Sequence, residues 1–149
     1  MTNSTIMTNF KLKAGLYYVS DPCYLYPEDK WSSFCDKLSN CREDLFEEGG
    51  VQFPVIGTAF GDGYYNLTKK GKSIGAIAVD AGLLAVIPAQ LVKRWKNLKK
   101  AKDYQNRALI VLIELKEDAA FSCSEGNFSL GDYSVITDGS DEDENEDDE

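Results

Sequence analysis

The densest run of strand and turn signals lies in residues 64–88, which read YYNLTKKGKSIGAIAVDAGLLAVIP. Aromatic and β-branched residues favour extended backbone, and they predict strands at residues 64–67, 73–80 and 83–87. The turn KKGK at residues 69–72 and a second glycine turn separate these strands. Short strands joined by tight turns pair in antiparallel fashion, so the segment predicts an antiparallel sheet.

Upstream of this segment, residues 11–20 (KLKAGLYYVS) predict a strand that stops at Asp21-Pro22. Residues 27–38 (PEDKWSSFCDKL) predict an amphipathic helix, because proline stands near its start and acids occupy its first turn. Its apolar residues also recur at i, i+3, i+4 and i+7. Residues 40–50 are predicted to form a loop.

Residues 51–60 (VQFPVIGTAF) predict a further strand. Pro54 places that strand at a sheet edge or at a bulge, because proline cannot donate a ladder hydrogen bond. Gly61-Asp62-Gly63 is predicted to be a tight hairpin turn leading into the strand at 64–67. It is not a phosphate-binding loop, because it lacks the G-x-x-x-x-G-K pattern.

Downstream, Pro88 begins a second predicted helix at residues 88–104 (PAQLVKRWKNLKKAKDY). Its predicted buried stripe consists of Leu91, Val92, Trp95 and Leu98. Residues 108–115 form the most clearly apolar predicted strand, residues 119–122 and 127–130 a hairpin, and residues 133–137 the last strand.

These elements predict the fold class and the organisation of the chain. We expect an α+β fold, mainly an antiparallel sheet of about seven or eight short strands with two amphipathic helices, in the order β-α-ββββ-α-βββ. Residues 1–9 are expected to be a flexible N-terminus, residues 10–137 a single domain, and residues 138–149 a disordered acidic tail.

The acidic charge of the chain is concentrated in that tail, DGSDEDENEDDE. It holds nine of the 25 acidic residues, so residues 1–137 carry 16 acidic and 16 basic residues. The net charge of −9 therefore belongs to the tail, and the body is neutral. This distribution argues against a body that imitates DNA, although the tail itself could compete for a basic groove.

Several classes of protein are excluded or disfavoured by the composition. No apolar run approaches a membrane span, and the N-terminus lacks the basic and apolar regions of a signal peptide, so we expect a cytoplasmic protein. Met7 could be a second start site. The four cysteines are then expected to be thiols; without histidine or a C-x-x-C pair they predict no metal site, and we expect no cofactor. The absence of histidine also excludes Ser-His and Cys-His dyads.

Four aspartates stand beside glycine or proline at predicted strand ends, and they form a candidate polar site: Asp21, Asp62, Asp80 and Asp132. If these strand ends converge, the carboxylates could act as an acid–base pair or bind Mg²⁺ or Ca²⁺. The alternative is that each carboxylate only accepts backbone N–H bonds within its own turn, as aspartate commonly does.

Two other residue sets are candidate binding surfaces. The second helix carries a candidate basic patch of Lys93, Arg94, Lys96, Lys99, Lys100 and Lys102. This patch could contact an anionic partner, form a solvated helix face or be covered by the acidic tail. Closely spaced tyrosines near the turns are candidate partner-binding residues, namely Tyr24, Tyr26, Tyr64 and Tyr65. Alternation along a strand directs one ring of a neighbouring pair inward and the other outward, and packing within the core is the alternative.

Four segments together resemble a family of small uncharacterised proteins encoded mainly by bacteriophages. They are GLYYVSDPCYLYPEDKW (15–31), TAFGDGYY (58–65), VDAGLLAVIPAQLV (79–92) and GNFSLGDYSVITD (126–138). The resemblance covers roughly residues 15–137 and rests on the DPCY and GDG-x-Y motifs in combination. It implies a compact β-rich domain of phage or prophage origin and no particular activity.

Three functions remain open. The first is a small non-enzymatic phage accessory protein that binds and modulates a host protein, most simply by inhibiting a host defence. The second is a nucleic-acid mimic acting through the tail, although we expect no direct binding of nucleic acid by the chain. The third is a carboxylate-based or metal-dependent hydrolase.

Overall fold

The computed structural model describes residues 10–38, 44–58, 62–124 and 126–137. The strands in these ranges are β1 (Phe10–Leu12), β2 (Gly15–Ser20), β3 (Asp44–Glu48), β4 (Val51–Gly57), β5 (Gly63–Lys69), β6 (Lys72–Val79), β7 (Leu83–Pro88), β8 (Val111–Leu115), β9 (Ala119–Ser124), β10 (Asn127–Leu130) and β11 (Tyr133–Val135). The helices are α1 (Glu28–Leu38), α2 (Ala89–Arg94) and α3 (Leu98–Asn106), and a 3-10 turn spans Pro22–Tyr24. The α+β class predicted from the sequence is confirmed.

The strands form two antiparallel sheets. A six-stranded sheet has the order β1-β9-β10-β11-β5-β6, and a five-stranded sheet has the order β3-β4-β7-β2-β8. Every strand pair within the described ranges is antiparallel, as expected. The described ranges contain eleven strands rather than seven or eight. Residues 11–20 divide into β1 and β2, residues 44–48 add β3, and four strands, β8 to β11, follow the last helix where the predicted order has three.

The five-stranded sheet is covered on both faces. Along β7, Leu84 and Val86 belong to a buried cluster shared with the six-stranded sheet, whereas Leu83, Ala85 and Ile87 pack with the helices. Since both faces of this strand are buried, its sequence is continuously apolar rather than alternating. The molecule therefore has three layers, with the five-stranded sheet in the middle.

Tight turns join neighbouring strands, one at the predicted KKGK turn and one at the end of the predicted loop at residues 40–50. Residues 49–50 and 70–71 are two-residue hairpin loops with positive φ at both positions, which is the type I′ geometry. β9 and β10 pair in antiparallel fashion up to Ser124 and Asn127, as the predicted hairpin requires, and residue 125 of the predicted turn lies outside the described residues. Asp44–Glu48, which the sequence analysis assigned to a loop, is instead a strand because the glycine pair at 49–50 returns the chain into β4.

The predicted hairpin turn at Gly61-Asp62-Gly63 is wrong. β4 belongs to the five-stranded sheet and β5 to the six-stranded sheet, so the chain passes from one sheet to the other between them. The turn at Ala81-Gly82 is a second crossing, from β6 to β7.

Pro54 lies on β4, inside the five-stranded sheet, rather than on an edge strand. The pairing of β4 with β7 begins only at Val55, so the missing N–H of Pro54 interrupts no hydrogen bond to β7.

The second predicted helix is broken into α2 and α3. Trp95 ends α2 and Lys96 adopts a φ of 64°, which helical backbone excludes. The break lets the Asn97 side chain donate a hydrogen bond of 2.8 Å to the Leu25 carbonyl. As a result the predicted stripe of four residues is only partly buried: Leu91 and Val92 are in the core, Trp95 is half-buried, and Leu98 is 37% exposed.

The two sheets meet where the edge strand β6 approaches β8. The Ala78 N–H donates a 2.9 Å hydrogen bond to the Leu109 carbonyl, just before β8 begins. A Cβ atom placed on Gly75 would lie 2.8 Å from Cγ2 of Val111, which is closer than carbon atoms can pack. Glycine at this position therefore permits the edge of one sheet to reach the other.

We predict that Gly75→Ala destabilises the protein by about 1–3 kcal/mol, the usual cost of forcing a methyl group into filled space. The measurement is the free energy of unfolding in urea. Val111→Ala removes the opposing methyl groups, so the double variant should be more stable than the sum of the single changes predicts. A Gly75→Ala protein within about 0.5 kcal/mol of the original would contradict the contact.

The acidic tail, residues 138–149, and the N-terminal residues 1–9 lie outside the described residues. The last described residue, Thr137, is 1% exposed, and its hydroxyl donates a 2.6 Å hydrogen bond to the Gly126 carbonyl. Its backbone N–H donates to Oδ1 of Asn127 at 2.7 Å. Thr137 is therefore part of the folded body.

Truncation after Thr137 should leave the free energy of unfolding unchanged within about 0.5 kcal/mol, because the tail has no apolar residue to bury. Thr137→Val is the matched comparison; it keeps the volume but removes the buried hydroxyl, and should cost about 1 kcal/mol. Thermal unfolding of both proteins tests this. A marked fall in stability on truncation would mean that the tail docks on the body.

Candidate functional site

The centre of the candidate site is the buried carboxylate of Asp21, which follows β2 and is 0% exposed. Its Oδ1 accepts a 2.9 Å hydrogen bond from the Cys23 N–H, so the side chain caps the 3-10 turn. Its Oδ2 accepts hydrogen bonds from the backbone N–H groups of Asp80 at 2.9 Å and Ala81 at 2.6 Å. One carboxylate therefore joins the turn after β2 to the turn after β6.

Two opposing effects act on the pKa of Asp21. Burial raises this pKa, and the hydrogen bonds from the N–H groups of Cys23, Ala81 and Asp80 lower it; burial is the larger effect. The carboxyl group is thus held in place by its donors at a cost in desolvation. Both of its oxygens are committed to backbone groups, which is a structural use of the side chain.

Tyr24 extends the site outward from Asp21. Its hydroxyl donates a 2.6 Å hydrogen bond to Oδ2 of Asp80, and its ring lies 4.9 Å from the ring of Tyr104 on α3. Burial, followed by the hydrogen bond to Asp80 and the negative charge of that carboxylate, raises the pKa of Tyr24 well above its ordinary value. Tyr24 therefore remains a neutral donor that orients Asp80.

These side chains form one wall of a cleft of about 540 Å³ between the start of β5, the end of β6 and the end of α3. The polar and aromatic residues that line it are Tyr24, Asp62, Tyr64, Asp80, Tyr104 and Arg107. The guanidinium of Arg107 lies 5.6 Å from the centre of the Tyr104 ring and 3.2 Å from Oδ2 of Asp103. The cleft thus combines three tyrosines with two carboxylates and one cation that is already paired.

Three of the four predicted aspartates come together and one does not. Asp62 and Asp80 line the cleft, and Asp21 lies behind Asp80. Asp132 is in the turn between β10 and β11, where its carboxylate is 4.0 Å from Nζ of exposed Lys70. Asp132 is therefore a turn residue on the six-stranded sheet and no part of the cleft.

The sequence analysis missed Tyr104 and Arg107 as residues of this site. Tyr104 is in the last turn of α3 and Arg107 is its C-cap, whereas the predicted amphipathic helix ended at residue 104. The spacing of Tyr104 and Arg107 by one helical turn was the available signal, since residues three apart share a face. Nothing in the sequence places that face beside the GDG segment.

The candidate tyrosines separate into exposed and buried residues. Tyr64 is 71% exposed, and its neighbour Tyr65 packs against the core, as strand alternation predicts. Tyr26 is 4% exposed, lies 4.6 Å from the Trp95 ring and donates a 2.7 Å hydrogen bond to Glu48. Tyr26 is therefore a core residue between the helices and the middle sheet, and it cannot contact a partner directly.

The candidate basic patch is exposed throughout. All six of its cations are at the surface, and they are divided between α2, the break and α3. Arg94 has a defined contact, because its Nη1 donates a 2.9 Å hydrogen bond to the Gly49 carbonyl. No ion pair involving this patch occurs within the described ranges.

The cysteines of the described residues form no disulfide bond. Cys23 and Cys35 are half-buried and Cys123 is buried. Burial, and then the charges of Asp21, Asp80 and Asp62, raise the pKa of Cys23 far above its ordinary value, so its thiolate is disfavoured. Within residues 10–38, 44–58, 62–124 and 126–137, no three cysteine or carboxylate side chains are grouped so as to hold a metal ion.

Comparisons with protein-family models, with curated proteins and with solved structures find no match to this chain. Among the helices in the described part of the chain, none is long and apolar enough to cross a membrane.

A pair of isosteric substitutions separates the structural aspartate from the cleft aspartates. Asp21→Asn should lower the free energy of unfolding by about 3 kcal/mol. Whichever way the asparagine amide is turned, its NH₂ group replaces one of the two oxygens and faces a backbone N–H donor. Asp62→Asn should change the free energy of unfolding by less than about 0.5 kcal/mol, because Asp62 is exposed. Urea denaturation of both variants tests this, and equal stability would contradict the role given to Asp21.

Proposed function

We propose that this chain is a small non-enzymatic accessory protein, encoded by a bacteriophage, that binds a host protein in the cytoplasm and inhibits it. The proposed contact surface is the cleft and its rim, defined by Tyr24, Asp62, Tyr64, Asp80, Tyr104 and Arg107. The phage origin rests on the resemblance of residues 15–137 to phage proteins.

The observation that carries the proposal is the exposed ring of Tyr64 at this cleft. The ring is 71% exposed, the largest exposure among the bulky apolar and aromatic residues of the described ranges. Tyrosine and arginine are enriched in the residues that dominate binding energy at protein interfaces. Tyr64, Tyr104 and Arg107 bring these residue types together on one concave surface.

The chemistry of the nearby groups supports binding rather than catalysis. The Cys23 thiol has a raised pKa, which is unfavourable for a nucleophile. Asp21 uses both carboxylate oxygens to accept backbone N–H groups, and Tyr24 is held as a neutral hydrogen-bond donor. The groups with the most perturbed environments thus have structural partners.

A second candidate is a carboxylate-based hydrolase, which the presence of Asp62 and Asp80 in one cleft favours. The two candidates differ in what Tyr64 does. Removal of a rim tyrosine impairs a protein interface, whereas acid–base chemistry depends on the two carboxyl groups.

Deletion of residues 138–149 tests the third possibility, nucleic-acid mimicry through the tail, because activity that survives deletion excludes it.

We predict that Tyr64→Ala abolishes capture of the partner from a host lysate by the immobilised full-length chain. Truncation of an interface residue that dominates binding costs at least about 2 kcal/mol, or roughly 30-fold in affinity. Quantitative mass spectrometry of the captured proteins gives the measurement. Thermal unfolding of the variant should be unchanged, because Tyr64 contributes little burial.

Leu16→Ala is the matched control, because Leu16 is 50% exposed and lies outside the cleft. It should capture the partner as well as the original protein does. Failure of the original chain to retain any stoichiometric protein, or equal capture by the Tyr64→Ala variant, would count against the proposed function.

A further inference from the structure

The charge of the cleft is its distinguishing property. Asp62 and Asp80 both line it, and within the described residues neither forms a salt bridge. The one cation in the wall, Arg107, is already paired with Asp103 at 3.2 Å. Asp62, Asp80 and Asp103 thus stand against the one charge of Arg107, and these four groups carry a net charge of −2.

The aromatic rings, like the carboxylates, favour a cation in the cleft. The face of an aromatic ring carries negative potential and attracts ammonium and guanidinium groups. Arg107 already lies over the Tyr104 ring, with 5.6 Å between the guanidinium carbon and the ring centre. Tyr24 and Tyr64 line the same space. Rings and carboxylates in one cleft form the combination that recognises organic cations.

We propose that the cleft binds a basic side chain, arginine or lysine, presented by the partner protein. The inference rests on the proposed function and names the group that the surface recognises. The side chain would enter beside Tyr64, pack its alkyl part against the rings, and bring its charge to Asp62 and Asp80. The cleft volume of about 540 Å³ exceeds that of a single side chain, so flanking residues of the partner can enter as well.

An anionic ligand fits these residues poorly. A phosphate or carboxylate in the cleft would face Asp62 and Asp80, and only Arg107 could balance it, after losing Asp103. The raised pKa values of Cys23 and Tyr24 have carboxylate charges among their causes, after burial, which is consistent with a negative field at this end of the molecule. A negative field attracts a cation that enters the cleft and repels an anion.

The test uses the full-length chain and two short peptides, acetyl-Gly-Arg-Gly-amide and the same peptide with citrulline in place of arginine. Citrulline has nearly the volume of arginine and no charge. Titrations are followed by NMR through the backbone amides of Gly63 and Asp80. The arginine peptide should bind about tenfold more tightly than the citrulline peptide, the expected value of one charge-assisted contact. Affinity for the arginine peptide should fall as salt is added.

Isosteric variants assign the effect to the cleft. Asp62→Asn and Asp80→Asn should each weaken binding of the arginine peptide, and Asn at position 80 still accepts the Tyr24 hydroxyl. Asp132→Asn removes the same charge from a turn outside the cleft and should change nothing. Equal affinity for the two peptides, or an equal effect of Asp132→Asn, would overturn the inference.

Partner capture separates this inference from the proposed function. Tyr64→Ala could lose the partner while Asp62→Asn and Asp80→Asn retain it. The surface would then bind a protein without recognising a cation, and only the inference would fail. If none of the three variants changes capture, the proposed function fails as well. Loss of the partner by all three supports both.

Discussion

The buried carboxylate of Asp21 is the interaction on which the arrangement of the two sheets and the cleft depends. It follows β2 of the middle sheet, and it accepts the N–H groups of Asp80 and Ala81, which follow β6 of the outer sheet. A carboxylate supplies two acceptor oxygens on a short side chain, and no neutral side chain of this size does so. Burial of the charged group is unfavourable because it loses its water, and hydrogen bonds from three backbone N–H groups offset this loss.

The geometry of the candidate cleft follows from this connection. Fixing the Asp80 backbone places its carboxylate within reach of the Tyr24 hydroxyl, at 2.6 Å, and Tyr24 in turn packs against Tyr104 on α3. The site thus combines the ends of both sheets and a helix that lies beyond the middle sheet.

The local elements were predictable from the sequence, and the assignment of strands to sheets was not. The helix at residues 28–38 and the strands around the glycine turns at 71, 126 and 131 follow from residue type alone. The GDG segment has the residues of a hairpin, yet β4 and β5 belong to different sheets. Each strand pairs instead with its other neighbour along the chain, β4 with β3 and β5 with β6, and with one more distant strand, β7 or β11. Local pattern contains no information on that choice of partners. Similarly, Tyr17 and Tyr18 are both 6% exposed, because the strand that holds them is buried on two faces.

The same limit applies to the site, and it has a physical consequence. Residue type and turn context identified Asp21, Asp62 and Asp80, but only the crossings between sheets bring them together, and only the end of α3 adds Tyr104 and Arg107. Asp21 serves the fold, so its charge cannot be removed without loss of the backbone bonds that it accepts. Asp62 is exposed, and within the described part of the chain the Asp80 carboxylate accepts only the Tyr24 hydroxyl, so the charge of either can be removed while the bonds to Asp21 stay in place. Different aspartates therefore join the two sheets and supply the carboxylates that we propose meet a cation, so substitution at Asp62 or Asp80 can test binding without removing the bonds that Asp21 accepts.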